Sequence, residues 1–519
     1  MTDDLFEQEL RDDLPRGHGE RALARGIERG LFARWLKPEE MQGPSWNPTG
    51  GLLLGRRAGR LIGWNDDRHV MTIAGSRAGK GVSLIEPNLM FYEGSALVVD
   101  PKGELARHTA GRRGPGARGG KGGLGQSVHV LDPFGVSGRA ASSFNPLAEL
   151  DLDSPDLIDD AAMFADALIT HPEHGEKHWT ESAQALIRAL ILVAVADEDP
   201  ARRNLVTVRR LLMLTDRSIR DKIDFQTPSD IDENGTLNAQ AALVHILKEQ
   251  EGRHASVCQG VAEQLDAMGD NERGSVLSTA RTQTQWLDSE KIESALCHST
   301  FRLADLKRTR MTLYLSLPAM RLSTHARWLR LVILLAITIM ERTQGKPEPP
   351  VLFVLDEFPV LGHMDSIEKA AGLMAGFGVK LWLIVQNVGQ LKQHYKEAWE
   401  TFFANCGVIT AFGISDSETL KTLSDSLGRT GIVEKVRSGA SNSALSQGAS
   451  PLQDDRREVP LLAEHELRLA LGRKKGRVLI FNAEDNPAIA ERLFYYRDAM
   501  FEGLYDPDPE YAAKPESGA

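Results

Sequence analysis

The segment IAGSRAGKG, residues 73–81, constrains the fold more than any other part of the sequence. It follows the apolar run HVMTIAG at residues 69–75 and precedes a segment with a helical pattern. Glycines allow successive backbone N–H groups to point into one concavity, and the start of a helix adds partial positive charge. A strand, a loop ending in Gly-Lys and a helix therefore predict the phosphate-binding loop of an α/β nucleotide-binding fold.

The loop residues expected to bind ATP are Gly75, Ser76, Arg77, Ala78, Gly79, Lys80, Gly81 and Val82. Lys80 is the predicted catalytic cation, because the lysine of such loops reaches the β- and γ-phosphates. The general pattern G-x-x-x-x-G-K-[ST] has a hydroxyl where this chain has Gly81. The usual hydroxyl ligand of Mg²⁺ is therefore missing, and Ser83 or a water molecule could replace it. The alternative interpretation is a glycine turn after a buried strand.

Two adjacent carboxylates end a second apolar run, VLFVLDEF at residues 351–358. Acidic residues are seldom buried without a reason, and phosphoryl transfer supplies one. Asp356 would hold the magnesium shell, and Glu357 would act as general base on the attacking water. Gln386 ends the run KLWLIVQN at residues 380–387, and we expect it to sense the γ-phosphate. The alternative for the carboxylates is a strand-end cap.

Apolar runs alternate with helical patterns from residue 61, which predicts parallel strands joined by right-handed βαβ units. The patterns are helical throughout from about residue 152 to residue 295. The predicted organisation is an N-terminal helical extension (1–60), a nucleotide-binding domain in two parts (61–151 and 296–500), an inserted all-α domain (152–295) and a disordered tail (501–519).

Three further segments matter for the interpretation. The residues VVDPKGE at 98–104 could cap a helix through Asp100 or contribute to a site. The glycine-rich, basic segment at 112–125 is predicted to be a mobile surface loop, with a phosphate-backbone contact as the alternative. Residues 437–457 are rich in Ser, Gly, Ala and Asp and are also predicted to be a loop.

The composition limits the possible partners and location of the chain. A net charge of −11 excludes a globally basic nucleic-acid binder, so any DNA contact must come from local patches. The apolar run at residues 331–340 is about half the ~20 residues that a membrane span needs, so we predict a buried core helix and a cytoplasmic chain. A helical stripe over residues 21–35 combines apolar residues with arginines and is the candidate surface for recruitment to a membrane.

The ordered motifs resemble those of the coupling proteins of type IV secretion and conjugation systems, the TraG/TraD type. The resemblance begins with residues 69–113 and continues through SVHVLDPF (127–134) and SSFNPL (142–147). VLFVLDEFPVLGHM and KLWLIVQNVGQLKQHY follow in the expected order, and the resemblance covers about residues 61 to 497. In one large branch of this family the loop also reads G-K-G, which Gly81 matches.

The resemblance implies a RecA-like P-loop ATPase domain with a mainly parallel sheet and an inserted all-α domain. It also implies a homo-hexameric ring that uses ATP and Mg²⁺ and brings DNA, nucleoprotein or effector substrates to a type IV secretion channel. Channel components and the relaxosome are the implied partners. Family members commonly begin with two membrane-spanning helices. The sequence shows no stretch of the ~20 apolar residues that a span needs, so we expect a variant without these helices that a partner recruits to the inner membrane. A soluble FtsK-like DNA-translocating ATPase of DNA processing is the alternative function.

Overall fold

The computed structural model describes residues 33–169, 177–215, 239–437 and 452–508. Its strands in chain order are β1 Leu52–Arg57, β2 Arg60–Trp64, β3 His69–Ala74, β4 Ala96–Val99, β5 Ser127–Leu131, β6 Met311–Leu315, β7 Val351–Leu355, β8 Val379–Val385, β9 Cys406–Phe412, β10 Arg429–Arg437, β11 Leu452–Pro460, β12 Arg477–Asn482 and β13 Ala488–Glu491.

A π-helical turn, Gly81–Ile85, leads directly into the first α-helix. The α-helices in chain order are α1 Glu86–Phe91, α2 Glu104–Arg113, α3 Leu157–Leu168, α4 Lys177–Ala196, α5 Leu205–Leu212, α6 Ala239–Lys248, α7 Ala255–Ala267, α8 Asp270–Gln283, α9 Glu290–Leu296, α10 Asp305–Arg308, α11 Leu322–Arg342, α12 Asp365–Leu373, α13 Val388–Tyr395, α14 Trp399–Ala404, α15 Ser417–Leu427 and α16 Glu464–Ala470.

The chain divides into two compact units. Of the described residues, unit 1 contains 33–98, 107–127, 345–437 and 452–508, and unit 2 contains 99–106, 128–169, 177–215 and 239–344. The sheet of unit 1 has the strand order β2-β1-β13-β12-β9-β3-β8-β7-β4. Unit 2 contains β6 beside β5 together with helices α3 to α11. Because each unit combines strands with helices, the domain boundaries expected from the sequence stay predictions.

The centre of the unit 1 sheet is parallel. Strand β3 pairs in parallel with β8 on one side and β9 on the other, and β8 pairs in parallel with β7. The Thr72 hydroxyl of β3 links this strand to both of its neighbours. It lies 2.8 Å from the Thr410 hydroxyl of β9 and accepts a 2.9 Å hydrogen bond from Trp382 Nε1 of β8. The carboxyl ends of β3, β8 and β7 therefore meet at one edge. The predicted RecA-like α/β fold is confirmed.

The other side of this sheet is antiparallel. Strand β1 pairs with β2 and β13, and β12 pairs with β13 and β9, all antiparallel. Ala58 and Gly59 join β1 to β2 with φ values of 53° and 70°, as in the two-residue turns that match strand twist. The predicted helical extension is therefore wrong for residues 52–57. Residues 452–457, predicted to be loop, belong to β11, which pairs with β10.

The helical segment predicted over residues 152–295 is confirmed for its described residues, which form helices α3 to α9 and no strand. By length and composition, His178–Ala196 of α4 could cross a membrane, so the prediction that no segment is long and apolar enough is wrong there. Its apolar 18-residue window is 67% buried, however, as in the core helix of a globular unit. The run at 331–340 lies in α11 and is largely buried, as predicted.

Two loop predictions have clear outcomes. Asp100 is a cap, because its buried carboxylate accepts a 2.8 Å hydrogen bond from the backbone N–H of Ala106 in the first turn of α2. The segment at 112–125 was predicted to be a mobile surface loop, but its first two residues belong to helix α2 and are held by hydrogen bonds. Helix α2 continues to Arg113, whose fully buried guanidinium donates to the Gly94 carbonyl at 2.6 Å and to Gln126 Oε1 at 2.9 Å.

The chain after β13 is ordered further than the sequence suggests. Phe501 and Leu504 are buried in one apolar cluster with Leu53 and Met90. The Asp506 carboxylate accepts a 2.6 Å hydrogen bond from the Arg118 backbone N–H. The predicted disorder is therefore wrong for residues 501–508, because two apolar side chains and a carboxylate fix them to unit 1. Residues 509–519 lie outside the described part.

A buried charged network joins α1, α2 and this last segment. His108 Nδ1 lies 3.0 Å from the carboxylate of Glu86, which is only 1% exposed, and His108 Nε2 lies 3.4 Å from Asp508 Oδ2. The Tyr495 hydroxyl is 3.4 Å from the same ring, and Arg107 is 3.8 Å from Asp508. Burial disfavours the charged ring, but Glu86 and Asp508 outweigh burial and raise the pKa of His108.

We expect His108→Gln to lower the free energy of unfolding by about 1–3 kcal/mol at pH 6, because Glu86 loses a charged partner. The folded pKa of His108 exceeds its ordinary value of 6.5, so this stabilisation is fully present below pH 6.5 and is lost as pH rises through the folded pKa. Urea unfolding of both proteins from pH 6 to pH 9 measures the difference. A difference that does not shrink with rising pH would contradict a charged His108.

Candidate active site

The loop after β3 has the backbone of an anion-binding concavity. Arg77 and Gly79 have φ values of 56° and 88°, whereas Lys80 is right-handed helical. Alternation of left- and right-handed conformations turns successive N–H groups toward one side. Ser76 and Arg77 are exposed, and Gly75, Gly79, Lys80, Gly81 and Val82 are half-buried. Ala78 is buried, so its side chain anchors the loop while its neighbours stay accessible.

Lys80 holds both predicted carboxylates. Its Nζ lies 2.7 Å from Asp356 Oδ1 and 2.6 Å from Glu357 Oε1. The three side chains are 14% to 23% exposed, so the pairs are partly shielded from water. Burial disfavours the charged form of Lys80, but the two carboxylates outweigh it and raise the Lys80 pKa, which keeps the ammonium charged. For Asp356, burial raises the pKa although Lys80 pulls it down.

Glu357 is held in an unusual backbone conformation. Its φ and ψ are 55° and 40°, a left-handed conformation that costs a residue with a side chain about 1–2 kcal/mol. The Glu357 N–H donates a 3.0 Å hydrogen bond to Asp356 Oδ1, so the two acidic residues fix each other. Such strain at the end of a buried strand is typical of functional sites. It argues against a simple strand-end cap.

Gln386 completes the cluster. Strand β8 lies between β3 and β7, so its carboxyl end falls between the loop and the two carboxylates. Gln386 Nε2 donates a 2.9 Å hydrogen bond to Glu357 Oε2, the oxygen that Lys80 does not hold. Side chains that follow β3 and β8 therefore converge on Glu357, which follows β7, and the structure brings together all the predicted catalytic residues.

Ser83 is not part of this cluster. Its hydroxyl is buried and donates a 2.7 Å hydrogen bond to the Gly79 carbonyl one turn earlier. Arg492 Nη1 lies 3.3 Å from the same oxygen. A hydroxyl that faces a guanidinium is a poor ligand for a second cation, because the two positive charges repel. We therefore correct the expectation that Ser83 could hold Mg²⁺.

Without Ser83, the oxygen ligands at the site fit Mg²⁺ better than a metal ion that takes all of its ligands from the protein. Mg²⁺ is commonly bound by one or two carboxylates together with substrate phosphates and water. Asp356 supplies one carboxylate beside the loop. In the described ranges there is no group of three or more His, Cys, Asp or Glu residues that could hold a metal ion by itself.

Two glycines let the loop approach strand β9, a contact that the sequence does not reveal. A Cβ on Gly413 would lie 2.4 Å from Ala78 Cβ, and a Cβ on Gly75 would lie 2.2 Å from the Gly413 carbonyl oxygen. Neither distance is possible for a real side chain, so the loop requires glycine at both positions. The contact joins residues far apart in the chain, and a glycine at the end of a strand is too common to predict it.

We expect Gly413→Ala to weaken ATP binding by about 10-fold or more, since small displacements of binding groups have effects of this size. The matched control is Gly125→Ala, because Gly125 has a φ of 68° against 64° for Gly413 and its Cβ would meet nothing within 4 Å. The control has the same backbone strain without the clash. Equilibrium titration with ATP and Mg²⁺ measures both variants, and equal losses would contradict the role given to Ala78.

The comparison with protein families gives a match over most of the chain. The family described as "Type IV secretory system Conjugative DNA transfer" matches residues 35–517. The conjugal transfer protein TraG of Escherichia coli is 28% identical over 466 residues, which are 84% of this chain and 69% of TraG. The protein VirD4 of Agrobacterium fabrum is 26% identical over 492 residues, covering 91% of this chain and 67% of VirD4.

Solved structures show the same fold at low sequence identity. The bacterial conjugative coupling protein TrwBdeltaN70 superposes with a TM-score of 0.62 at 14% identity, covering 88% of this chain and 92% of the solved TrwBdeltaN70 chain. TrwB in complex with ADP and Mg²⁺ gives a TM-score of 0.61 at 12% identity, covering 92% and 97% of the two chains. With the family match extending over residues 35–517, the chain belongs to the type IV secretory system family of conjugative DNA transfer proteins.

Proposed function

We propose that the chain is an ATP-hydrolysing coupling protein that recruits DNA, or DNA with attached protein, and drives it to a type IV secretion channel. One observation carries the proposal: Lys80 of the glycine loop bridges Asp356 and Glu357 while Gln386 binds Glu357. This is the set of groups that ATP hydrolysis needs, in a chain of the conjugative transfer family.

The glycine loop would bind the phosphates of ATP. The backbone N–H groups of the loop would donate to the phosphates, and the turn Gly81–Ile85 that begins there adds the partial charge of a helix start. Lys80 is paired with two carboxylates, so a polyphosphate would compete with them for its ammonium. Binding of ATP would then free Asp356 and Glu357 from Lys80, each for its own role.

Asp356 would hold Mg²⁺, directly or through water. When bound, the ion supplies positive charge that neutralises the charge developing on the phosphates. Asp356 has the position for this role because it ends β7 beside the loop and pairs with the same Lys80. Its hydrogen bond from the Glu357 N–H fixes the carboxylate. The complex of TrwB with ADP and Mg²⁺ supports the use of Mg²⁺ together with the nucleotide.

Glu357 would act as general base on the attacking water. Its left-handed backbone and the hydrogen bond from Gln386 fix the carboxylate from two directions. Gln386 would report the state of the γ-phosphate, because it ends the strand between the loop and the carboxylates. A change at the phosphates could move Gln386 and Glu357 together and so couple hydrolysis to movement of the substrate.

The assembly and location form the second part of the proposal. We infer a homo-hexamer with ATP between subunits, with channel components and the relaxosome as partners, and peripheral association with the inner membrane. The names of VirD4 and TrwB as coupling proteins support a role in coupling, and that of TraG supports a role in conjugal transfer. The proposed docking helix over residues 21–35 lies almost entirely outside the described residues and stays a prediction. No observation favours the FtsK-like alternative.

We expect Glu357→Gln to bind ATP normally and to hydrolyse it about 10²–10⁴-fold more slowly, the usual effect of losing a general base.

Lys80→Ala should lose hydrolysis as well as tight binding, because it lacks the cation that organises the phosphates. Phosphate release measures hydrolysis, and equilibrium titration measures binding. The matched control is Glu502→Gln, which removes an exposed carboxylate of the same chain.

Three results would count against the proposal. Wild-type turnover by Lys80→Ala would reject the phosphate-loop assignment. Loss of ATP binding by Glu357→Gln would make Glu357 a structural residue. A slow Glu502→Gln control would mean that the assay reports general damage to the protein.

A further inference from the structure

Arg492 contacts the phosphate loop from the end of strand β13. Its side chain is buried, and the residue is 7% exposed. Nη1 donates a 2.6 Å hydrogen bond to the Ala78 carbonyl and lies 3.3 Å from Ser83 Oγ, and Nη2 donates to the Arg473 carbonyl at 3.0 Å. One guanidinium therefore touches the loop and the helical turn that follows it.

Aromatic rings surround this cation. The guanidinium carbon lies 4.5 Å from the centroid of the Phe412 ring and 5.0 Å from that of Phe494. Such contacts fix the plane of a guanidinium and offset part of its desolvation. Because Phe412 ends β9 and Phe494 follows β13, residues from two strands that are separated by β12 determine where the charge lies.

The charge of Arg492 is not neutralised within the described part of the chain. Its hydrogen-bond partners are carbonyl and hydroxyl oxygens, no carboxylate pairs with it, and its buried Nε has no partner. A buried cation without an anion is costly, so packing alone would favour an apolar side chain at this position. An anionic ligand on the loop would supply the missing negative charge.

We propose that Arg492 is a positioning residue that holds the phosphate loop in shape and acts as a fixed countercharge for the phosphates of the nucleotide. The hydrogen bond to the Ala78 carbonyl fixes the peptide group between Ala78 and Gly79, and Ala78 lies between the two loop residues with positive φ, Arg77 and Gly79. The charge also attracts the ligand through space in a partly buried site. This inference rests on the proposed nucleotide binding.

The same segment holds the beginning of the helix. The Tyr495 N–H donates a 3.2 Å hydrogen bond to the Val82 carbonyl, and the edge of the Phe494 ring would lie 3.9 Å from a Cβ on Gly79. Arg492 thus belongs to a continuous brace, residues 492–495, along the loop and its helix. The brace follows the last strand of the sheet and holds a loop that lies far from it in the sequence. Local sequence patterns cannot reveal such a contact.

The test compares Arg492→Met, which keeps length but removes charge, with Arg492→Lys, which keeps the charge. Arg497→Met is the matched control, because the Arg497 guanidinium carbon lies 5.3 Å from the centroid of the same Phe494 ring and Arg497 is exposed. Calorimetric titration with ATP, ADP and AMP, each with Mg²⁺, gives the affinities. Thermal unfolding measures whether the variants are folded.

We expect Arg492→Met to weaken ATP binding by about 10- to 100-fold, with a smaller loss for ADP and the smallest for AMP, because the attraction scales with ligand charge. Arg492→Lys should retain most of the ATP affinity, and Arg497→Met should bind all three nucleotides like the wild type. Should Arg492→Met not fold, Arg492→Gln tests the same point, because its amide is neutral and still able to donate to the Ala78 carbonyl.

Equal losses for the three nucleotides in the neutral variant would overturn the countercharge, since a purely structural role affects them alike. Unchanged affinity in a folded neutral variant would overturn the inference as a whole. A wild-type protein that binds none of the nucleotides would instead reject the proposed function, so the two failures are distinguishable.

Discussion

The site depends on one interaction, the bridge from Lys80 to Asp356 and Glu357 at the edge of a parallel sheet. Two adjacent carboxylates at the end of a buried strand would repel each other and lose hydration, and the ammonium offsets both costs. Strand order makes the bridge possible, because β8 alone separates β3 from β7. The same order delivers Gln386 to the free oxygen of Glu357.

The strands β9 and β13, on the other side of β3 from β8 and β7, support the loop although they bear none of the proposed catalytic groups. Phe412 ends β9 and packs against Arg492, and Gly413, which follows it, leaves room for Ala78. Strand β13 leads into Arg492 and the chain that covers α1. The glycine loop is thus fixed by the proposed catalytic residues on one side and by close packing on the other, which is how a site acquires fixed geometry before its ligand binds.

The sequence predicts the parts of this arrangement that local pattern determines. Apolar runs locate β3, β7, β8 and β9, and the polar residues that follow three of them locate Lys80, Asp356, Glu357 and Gln386. It does not predict the Ala58-Gly59 hairpin, whose strands are short, or the packing of Phe501 and Leu504, which follow a polar stretch. Ser83 was misjudged and Arg492 missed for a common reason: the contacts of Arg492 with Ala78 and Ser83 join residues that lie 414 and 409 positions apart, and no spacing rule connects them.

The central claim is that hydrolysis at this cluster drives transfer of DNA. The most direct test measures DNA transfer between cells for a series of cluster variants produced at equal levels, against the ATP turnover of the same purified variants. We expect the frequency of DNA transfer to fall in proportion to ATP turnover. It should reach background in a variant that still binds ATP but does not hydrolyse it. Transfer at the wild-type frequency by a variant that binds ATP without hydrolysing it would contradict the account.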